Sequence, residues 1–304
     1  GGGKQEAPKF PTKALDMTIL FGAGGGADVI ARKLGDLASR EIGQPIVANN
    51  RVGGGGAVGY QYVLNTSPDG HNIVWNSTSI STTYHQGNLP EGKGYDAFRG
   101  VAKITDEASA LSVKADAKWK TIEEFIAHAK ANPGTVTVAN SGVGSFNHLT
   151  AALIEQAAGV EFKHVPMDAK QSTTSLLGGK VDAMVNMVFD TVQQEKAGTI
   201  RALGVVADTR QESLPNVPTF KEKGIDADLT MYRGIAVPKG TPDDVVKKLE
   251  DAFVKAGQDQ GFKDFAKQYG VSVNILGAKE FDAYMKEQDD LVAKAMGLIG
   301  MKKQ

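Results

Sequence analysis

Short β-type runs alternate with amphipathic helical runs along almost the whole chain, and this restricts the fold more than any single motif. The apolar runs at 17–21, 45–49 and 72–76 predict strands. A helix over 28–41 carries Val29, Ile30, Leu34 and Leu37 on one side, and a shorter one is expected at about 57–64. Such alternation, with short connections, is the pattern of βαβ units building a mostly parallel sheet. A second series follows the segment 97–117, which reads as a crossing strand. It has strands at 135–140, 161–165, 181–188 and 200–206, with helices at 121–131, 146–158, 171–178 and 191–197. The run 232–240 leads back, and helices at 242–258 and 278–299 finish the chain. In the last of these Phe281, Met285, Gln288, Val292, Ala295 and Ile299 recur at helical spacing, with Gln288 the one polar member.

Two α/β units, Rossmann-like and joined by crossing strands, with a cleft between them, are therefore expected. Residues 1–14 read as a flexible tether, 15–106 with 231–304 as one lobe, and 107–230 as the other. With 304 residues there is enough chain for two real cores. The start is rich in glycine, lysine and proline and has nothing to bury before Leu15. Two readings stand for it: the stretch that follows the lipid-modified cysteine of an exported lipoprotein, or a loose terminus.

Charge narrows the partners. The 34 basic and 35 acidic residues nearly cancel, so the chain has no polycationic character for nucleic acid or an anionic membrane surface. No apolar run is long enough to cross a bilayer, and no secretory signal stands in these residues. Cysteine is absent, which removes disulfides, thiolate metal sites and cysteine nucleophiles. The five histidines, at 71, 85, 128, 148 and 164, form no metal-binding pair at helical spacing, so no metal or cofactor is expected. Acidic pairs such as Glu123-Glu124 and Asp243-Asp244 stand at helix starts, where a carboxylate favours the helix dipole.

The stretch "FGAGGGAD" (21–28) fits a dinucleotide turn when read as Gly22-x-Gly24-x-x-Ala27. That chemistry needs an acid about 20 residues on, closing the second strand, to hold the ribose hydroxyls. Asn49 and Asn50 stand there, followed by Arg51. Phosphate-loop and nucleophile-elbow spacings are also missing. An NAD(P)-dependent oxidoreductase using this turn is the rival reading, and no catalytic acid or base is evident for it.

Two segments share one physical character: 22–28 and "NSGVGSFNHL" (140–149). Each follows a strand and opens a helix, offering small residues and unpaired backbone N–H groups where the helix dipole is positive. Hydroxyls at Ser141 and Ser145 add donors for a carboxylate. A third segment, 76–82, places Ser77, Thr78 and Ser79 after the third strand. All three lie beyond the carboxyl ends of strands, where ligands bind in open α/β sheets. One anion-accepting helix start per domain suits a molecule with a carboxylate at each end.

At these residues the chain resembles the substrate-binding proteins of tripartite tricarboxylate transporters, the Bug family. The resemblance rests on "FGAGGGADVIARKL", "GQPIVANNRVGGGGAVG", "SPDGHNIVW", "SGVGSFNHL", "LLGGKVDAM", "AGTIRALGVV", "LPNVPTFKEKG" and "VPKGTP". They occur in the family's order over roughly 16–285. The resemblance implies a type II periplasmic-binding-protein fold that closes over its ligand like a flytrap. It also implies an exported, monomeric, non-catalytic receptor that hands a small carboxylate to a membrane permease. By that resemblance Phe21, Gly22, Ala23, Gly25, Asp28, Ser77, Ser79, Ser141, Gly144, Ser145 and His148 are candidate ligand-binding positions. Gly24, Thr78 and Phe146 stand beside them. Asp28 is expected to cap the first helix and brace its loop; His148 is expected either to touch ligand or to bond within its own lobe.

Two departures bear on the ligand. After "HVP" the family carries Tyr-Lys-Gly, whereas Met167-Asp168-Ala169-Lys170 stands here. The run 185–194, with Asp190, is also atypical. An acid facing the cleft from Asp168 or Asp190 implies an amine, amide or hydroxyl at the far end of a di- or tricarboxylate or aromatic carboxylate. A sensor signalling to a membrane kinase shares every one of these sequence features.

Overall fold

The computed structural model describes residues 9–24 and 26–300. The chain runs β1 (Leu15–Ile19), α1 (Gly26–Ile42), β2 (Ile46–Asn50), α2 (Ala57–Leu64), β3 (Asn72–Ser77), α3 (Ser79–His85) and β4 (Phe98–Lys114). It continues with α4 (Ile122–Ala131), β5 (Thr137–Asn140), α5 (Phe146–Ala158), β6 (Lys163–Pro166), α6 (Ala169–Leu177), β7 (Ala183–Met187), α7 (Val192–Lys196) and β8 (Ile200–Val205). Last come β9 (Thr230–Pro238), α8 (Asp243–Gln258), α9 (Gln260–Gln268), β10 (Ser272–Leu276) and α10 (Ala278–Leu298). The chain is α/β, as the alternation predicts; its sheets are mixed instead of mostly parallel, because the crossing strands β4 and β9 pair antiparallel with their neighbours. Three elements were not anticipated: α3, whose Ser/Thr-rich run reads as a turn, and the α9–β10 pair in the tail.

The described residues divide into two compact units. The first comprises residues up to Thr105 with Tyr232–Gln268 and Val273–Lys286; the second is Asp106–Met231, Tyr269–Ser272 and the chain from Glu287 onward. The tail, expected in one lobe, is thus shared, because one apolar stripe of α10 packs in the first unit along its first half and in the second along the rest. Its first half sets Phe281 and Met285 against Tyr232, and Asp282 Oδ1 accepts from Gly100 N. Its second half sets Val292, Ala295 and Met296 against Leu149, Leu153 and Leu229. Gln288 is buried because its Oε1 accepts the Thr230 N–H.

In the first unit β1 pairs parallel with β2 and β3, and β3 pairs antiparallel with β9. Part of the predicted tether is bound to this unit. Thr12 N donates to His71 Nε2 at 3.1 Å, and Lys248 Nζ donates to the Phe10 carbonyl at 2.8 Å. In the second unit β5 lies parallel between β6 and β7, while β4 pairs antiparallel with β7 and β8. Its apolar core gathers Phe125, Phe162 and Phe220 around the aliphatic faces of β5 and β7. Parallel pairing carries the ends of β1, β2 and β3 to one sheet end in the first unit, and those of β5, β6 and β7 in the second. That fixes where the candidate loops emerge.

The second unit buries one carboxyl that nothing fully satisfies. Asp228, 7% exposed, stands two residues before β9. Lys221 Nζ lies 3.3 Å from its Oδ2 and also binds Asp208, while its Oδ1 has no hydrogen-bond partner. Burial and the charge of Asp208 push its pKa up from 3.8 to about 6, against the pull of Lys221. A carboxyl raised above its unfolded value favours the fold while protonated, and that contribution disappears as pH rises through the folded-state value. Asp228→Asn is therefore expected to melt above the wild type at about pH 8, by roughly 1–2 kcal/mol. The gap should narrow as pH falls through about 6 and close toward about pH 4, and calorimetric scans across that window check the sign.

Candidate functional site

After β1 the chain turns through Phe21, Gly22, Ala23 and Gly24, all exposed, and enters α1. Gly24 takes φ +88°, a backbone state that L side chains rarely adopt; Gly25 lies outside the described residues. Asp28, in the first turn of α1, is only 4% exposed and holds this turn together. Its carboxylate accepts from Gly24 N at 2.9 Å, Asn50 Nδ2 at 2.9 Å and Arg32 Nε at 3.1 Å. Asn50 Nδ2 also donates to the Phe21 carbonyl at 2.8 Å, and Arg32 donates to Asn50 Oδ1 at 2.7 Å. Burial pushes the Asp28 pKa up, but the bonds from Gly24, Asn50 and Arg32 outweigh it and hold the carboxyl below its ordinary value. Asp28 is a brace whose charge is matched within the loop.

The same geometry bears on the dinucleotide reading. Asn50 occupies the end of β2, where a ribose-binding acid belongs, and its amide ties the glycine turn to α1. Asn49 donates to Asp16 at 3.3 Å. Arg51 forms a two-pronged bond to the same Asp16 at 2.7 and 2.8 Å and stacks over Tyr62. The side chains of Asn49, Asn50 and Arg51 are each bonded within the first unit.

Ser77, Thr78 and Ser79 lie at the end of β3 and the start of α3, and all three are buried. Ser77 Oγ and Ser79 Oγ are 2.6 Å apart, and Tyr60 OH is 2.9 Å from Ser79 Oγ. Tyr60 OH donates to Asn76 Oδ1 at 2.7 Å, an oxygen that also accepts from Ser77 N. Burial raises the Tyr60 pKa to about 12, so its hydroxyl remains a donor. Thr78 Oγ1 accepts from Tyr232 N at 3.0 Å. These hydroxyls form an internal network that fixes the β3–α3 corner. Tyr60 and Asn76 were missed by sequence reasoning; the one available signal was a polar Asn closing a buried apolar strand.

In the second unit the segment 140–148 runs from β5 into α5. Gly142 and Gly144 take φ +114° and +80°. Ser145 is the N-cap of α5, its Oγ accepting from His148 N at 3.2 Å. Ser141 Oγ accepts from Asn147 Nδ2 at 2.7 Å, and Asn147 Oδ1 accepts from Ser109 on β4 at 2.5 Å. His148 is 8% exposed, and its Nδ1 accepts from Gly144 N at 3.0 Å. Phe146 is half-buried against Leu149 and Leu153. The first-turn amides of α5 have no carbonyl four residues back, so Ser145 and the peptides after it form a positive helix end.

Met167 N donates to the Asn140 carbonyl at 2.9 Å, which carries the chain after β6 alongside this loop. The acid at 168 has a local explanation. Asp168 is the N-cap of α6, in a capping box with Gln171: Oδ1 accepts from Gln171 N at 2.8 Å, and Gln171 Oε1 accepts from Asp168 N at 3.3 Å. Such a cap contributes about 1 kcal/mol. Asp190 stands apart, in a groove of about 440 Å³ with Lys170, Thr173, Leu177, Phe189 and Gln193. Desolvation there raises its carboxyl above the ordinary carboxylate value. The structure thus joins Ser141, Gly144, Ser145 and His148 into one bonded loop, ties Met167 to it, and leaves Asp190 in a groove of its own.

Known proteins agree with this architecture. A sequence model of the family TctC, tripartite tricarboxylate transporter family receptor, matches residues 30–301. A UPF0065 protein of Cupriavidus necator is 30% identical over 300 residues, spanning 96% of this chain and 90% of its own. Another, from Pseudomonas sp. strain P51, is 34% identical over 271 residues, 88% of this chain and 80% of its own. The crystal structure of a TctC solute binding protein from Polaromonas, without ligand, superposes with a TM-score of 0.90 at 31% identity, covering 96% and 99% of the two chains. Two Rhodopseudomonas palustris structures at 23% identity share the fold. MatC with bound malate has a TM-score of 0.67 over 95% of this chain and 100% of its own; a protein with adipate has 0.72 over 97% and 99%. This chain belongs to the TctC family, the solute-binding receptors of tripartite tricarboxylate transporters.

Proposed function

We propose that this chain captures a small organic acid in the periplasm, a di- or tricarboxylate or an aromatic carboxylate, and delivers it to the membrane permease of a tripartite transporter. It does no chemistry on the acid. One observation carries the reading: each unit follows a parallel strand with a small-residue turn and a helix start, at 21–28 and at 140–148. A helix start contributes about 0.3–1 kcal/mol toward an anion in water and up to about 2 where it is partly buried. Each turn is assigned a carboxylate on that basis. Asp28 and Asp168 do not oppose this, since their charges are matched by loop and helix amides. The malate and adipate carried by two proteins of the same fold are of the proposed chemical class.

The oxidoreductase alternative has lost its support at Asn50, whose amide holds the glycine turn. The sensor alternative has no structural observation in its favour.

Screening malate, adipate, citrate and benzoate by thermal shift tests the proposal directly. At about 100 times its Kd a bound acid raises stability by about 2.7 kcal/mol, several degrees for a chain of this size. NADH is expected to give no shift; a shift with NADH and none with any acid overturns the assignment.

The loops are tested one at a time by calorimetric titration. Ser141→Ala is expected to weaken acid binding about three- to tenfold with little change in stability, the value of one hydroxyl bond. Ser145→Ala adds the loss of a helix cap, about 1 kcal/mol of stability. Asp28→Ala frees Gly24 and Asn50, so it should lower both stability and affinity, each by about 1–3 kcal/mol. Full affinity in all three variants removes both loops from the site.

A further inference from the structure

The loop 141–145 hangs on a pair of packed histidines. His148 Nδ1 accepts the Gly144 N–H at 3.0 Å, while the main-chain N–H of the same residue bonds Ser145 Oγ at 3.2 Å. One residue therefore closes the loop twice, once through its ring and once through its backbone. The ring stands edge-on to His164 of β6, with centroids 4.9 Å apart. His164 is itself bonded on both sides. Its Nε2 lies 2.6 Å from Glu155 Oε1, and Asn140 Nδ2 lies 3.0 Å from its Nδ1. Asn140 is the residue from which the loop departs.

A nitrogen that accepts a backbone N–H carries no proton, so this bond exists only with His148 neutral. From this we infer that His148 is a positioning residue whose neutral ring assembles the 141–145 loop, making ligand capture acid-sensitive. The inference rests on the carboxylate reading of that loop.

Two opposing effects follow from protonating His148. The new cation attracts an anionic ligand, but it also expels the Gly144 amide from Nδ1 and turns that donor away from its set position. The titratable groups that face the ring are His164 from β6 and Glu155 from α5. Burial first, and then His164, hold His148 below its ordinary pKa, with Glu155 pulling the other way. The loop is therefore intact at neutral pH and opens as the solution becomes acidic. The geometric effect prevails in this inference because Nδ1 of His148 is itself the acceptor that closes the loop on Gly144, and protonation there removes it.

His148→Asn is the informative variant, since its side-chain oxygen can sit where Nδ1 sits and accepts without titrating. His148→Ala removes the acceptor. Amide exchange at Gly144, followed by NMR in the free protein, is expected to be slow in wild type and His148→Asn at about pH 7.5. In His148→Ala it should be at least about tenfold faster, one hydrogen bond's worth. Adipate and malate affinities, by calorimetric titration, should fall about tenfold in His148→Ala and stay within about threefold in His148→Asn. As pH is lowered from about 7.5 to about 4.5, past the ordinary histidine value, wild-type affinity should fall relative to His148→Asn. A wild-type affinity that rises on acidification relative to His148→Asn overturns the inference, as does unchanged Gly144 exchange in His148→Ala. If Gly144 exchange responds as stated but neither acid binds the wild type, the positioning role stands and the carboxylate reading falls.

Discussion

A peptide N–H in the first turn of a helix has no carbonyl four residues behind it, and this chain places such groups at the carboxyl ends of parallel strands in both units. What makes them usable is the rigidity of the preceding turn. Glycines at 24, 142 and 144 take positive φ, which glycine adopts about as readily as negative φ and other residues rarely do. That freedom leaves each turn without one set shape until a bond fixes it. In the first unit Asp28 supplies that bond to Gly24, and in the second His148 supplies it to Gly144. The brace is in both cases the residue four positions on, inside the first turn of the helix that the loop opens.

The two braces differ in charge and in what stands behind them. Asp28 is an anion matched by Arg32 and Asn50, so its loop is insensitive to mild acid. His148 is neutral, and behind it stand His164 and Glu155. The β3–α3 corner uses a third solution, a chain of neutral hydroxyls and an amide running through Tyr60, Asn76, Ser77 and Ser79. There the low dielectric of the core strengthens each bond, and every hydroxyl faces inward.

Much of this was legible from sequence because the period changes from two to 3.6 within a few residues at each strand-to-helix turn. Small residues at 22–26 and 141–145 marked the helix starts, and Asp28 stood in the first turn of its helix. The partners were not legible. Asn50 lies 22 residues from Asp28, Tyr60 lies 16 from Asn76, and Ser109 lies 38 from Asn147. No local pattern announces such bonds; only the sheet order brings them together. Helix α3 was hidden for a different reason, since a run of Ser and Thr competes with its own backbone and reads as a turn. Burial of Ile80 and Ser81 decides in favour of the helix.

Asp168 shows how a sequence departure changes meaning once its bonds are known. An acid where the family carries a base seemed to alter the ligand's charge. In the structure that carboxylate accepts from Gln171 N, and Gln171 returns a bond to the Asp168 N–H. A capping box of this kind fixes the entry of α6 and leaves its negative charge matched by the helix dipole. The acid is therefore a local stabiliser of α6, and the case for a cationic or hydroxylated ligand end shifts to Asp190. That carboxyl lies in the groove beside Lys170 and Gln193, where desolvation raises it above the ordinary carboxylate value.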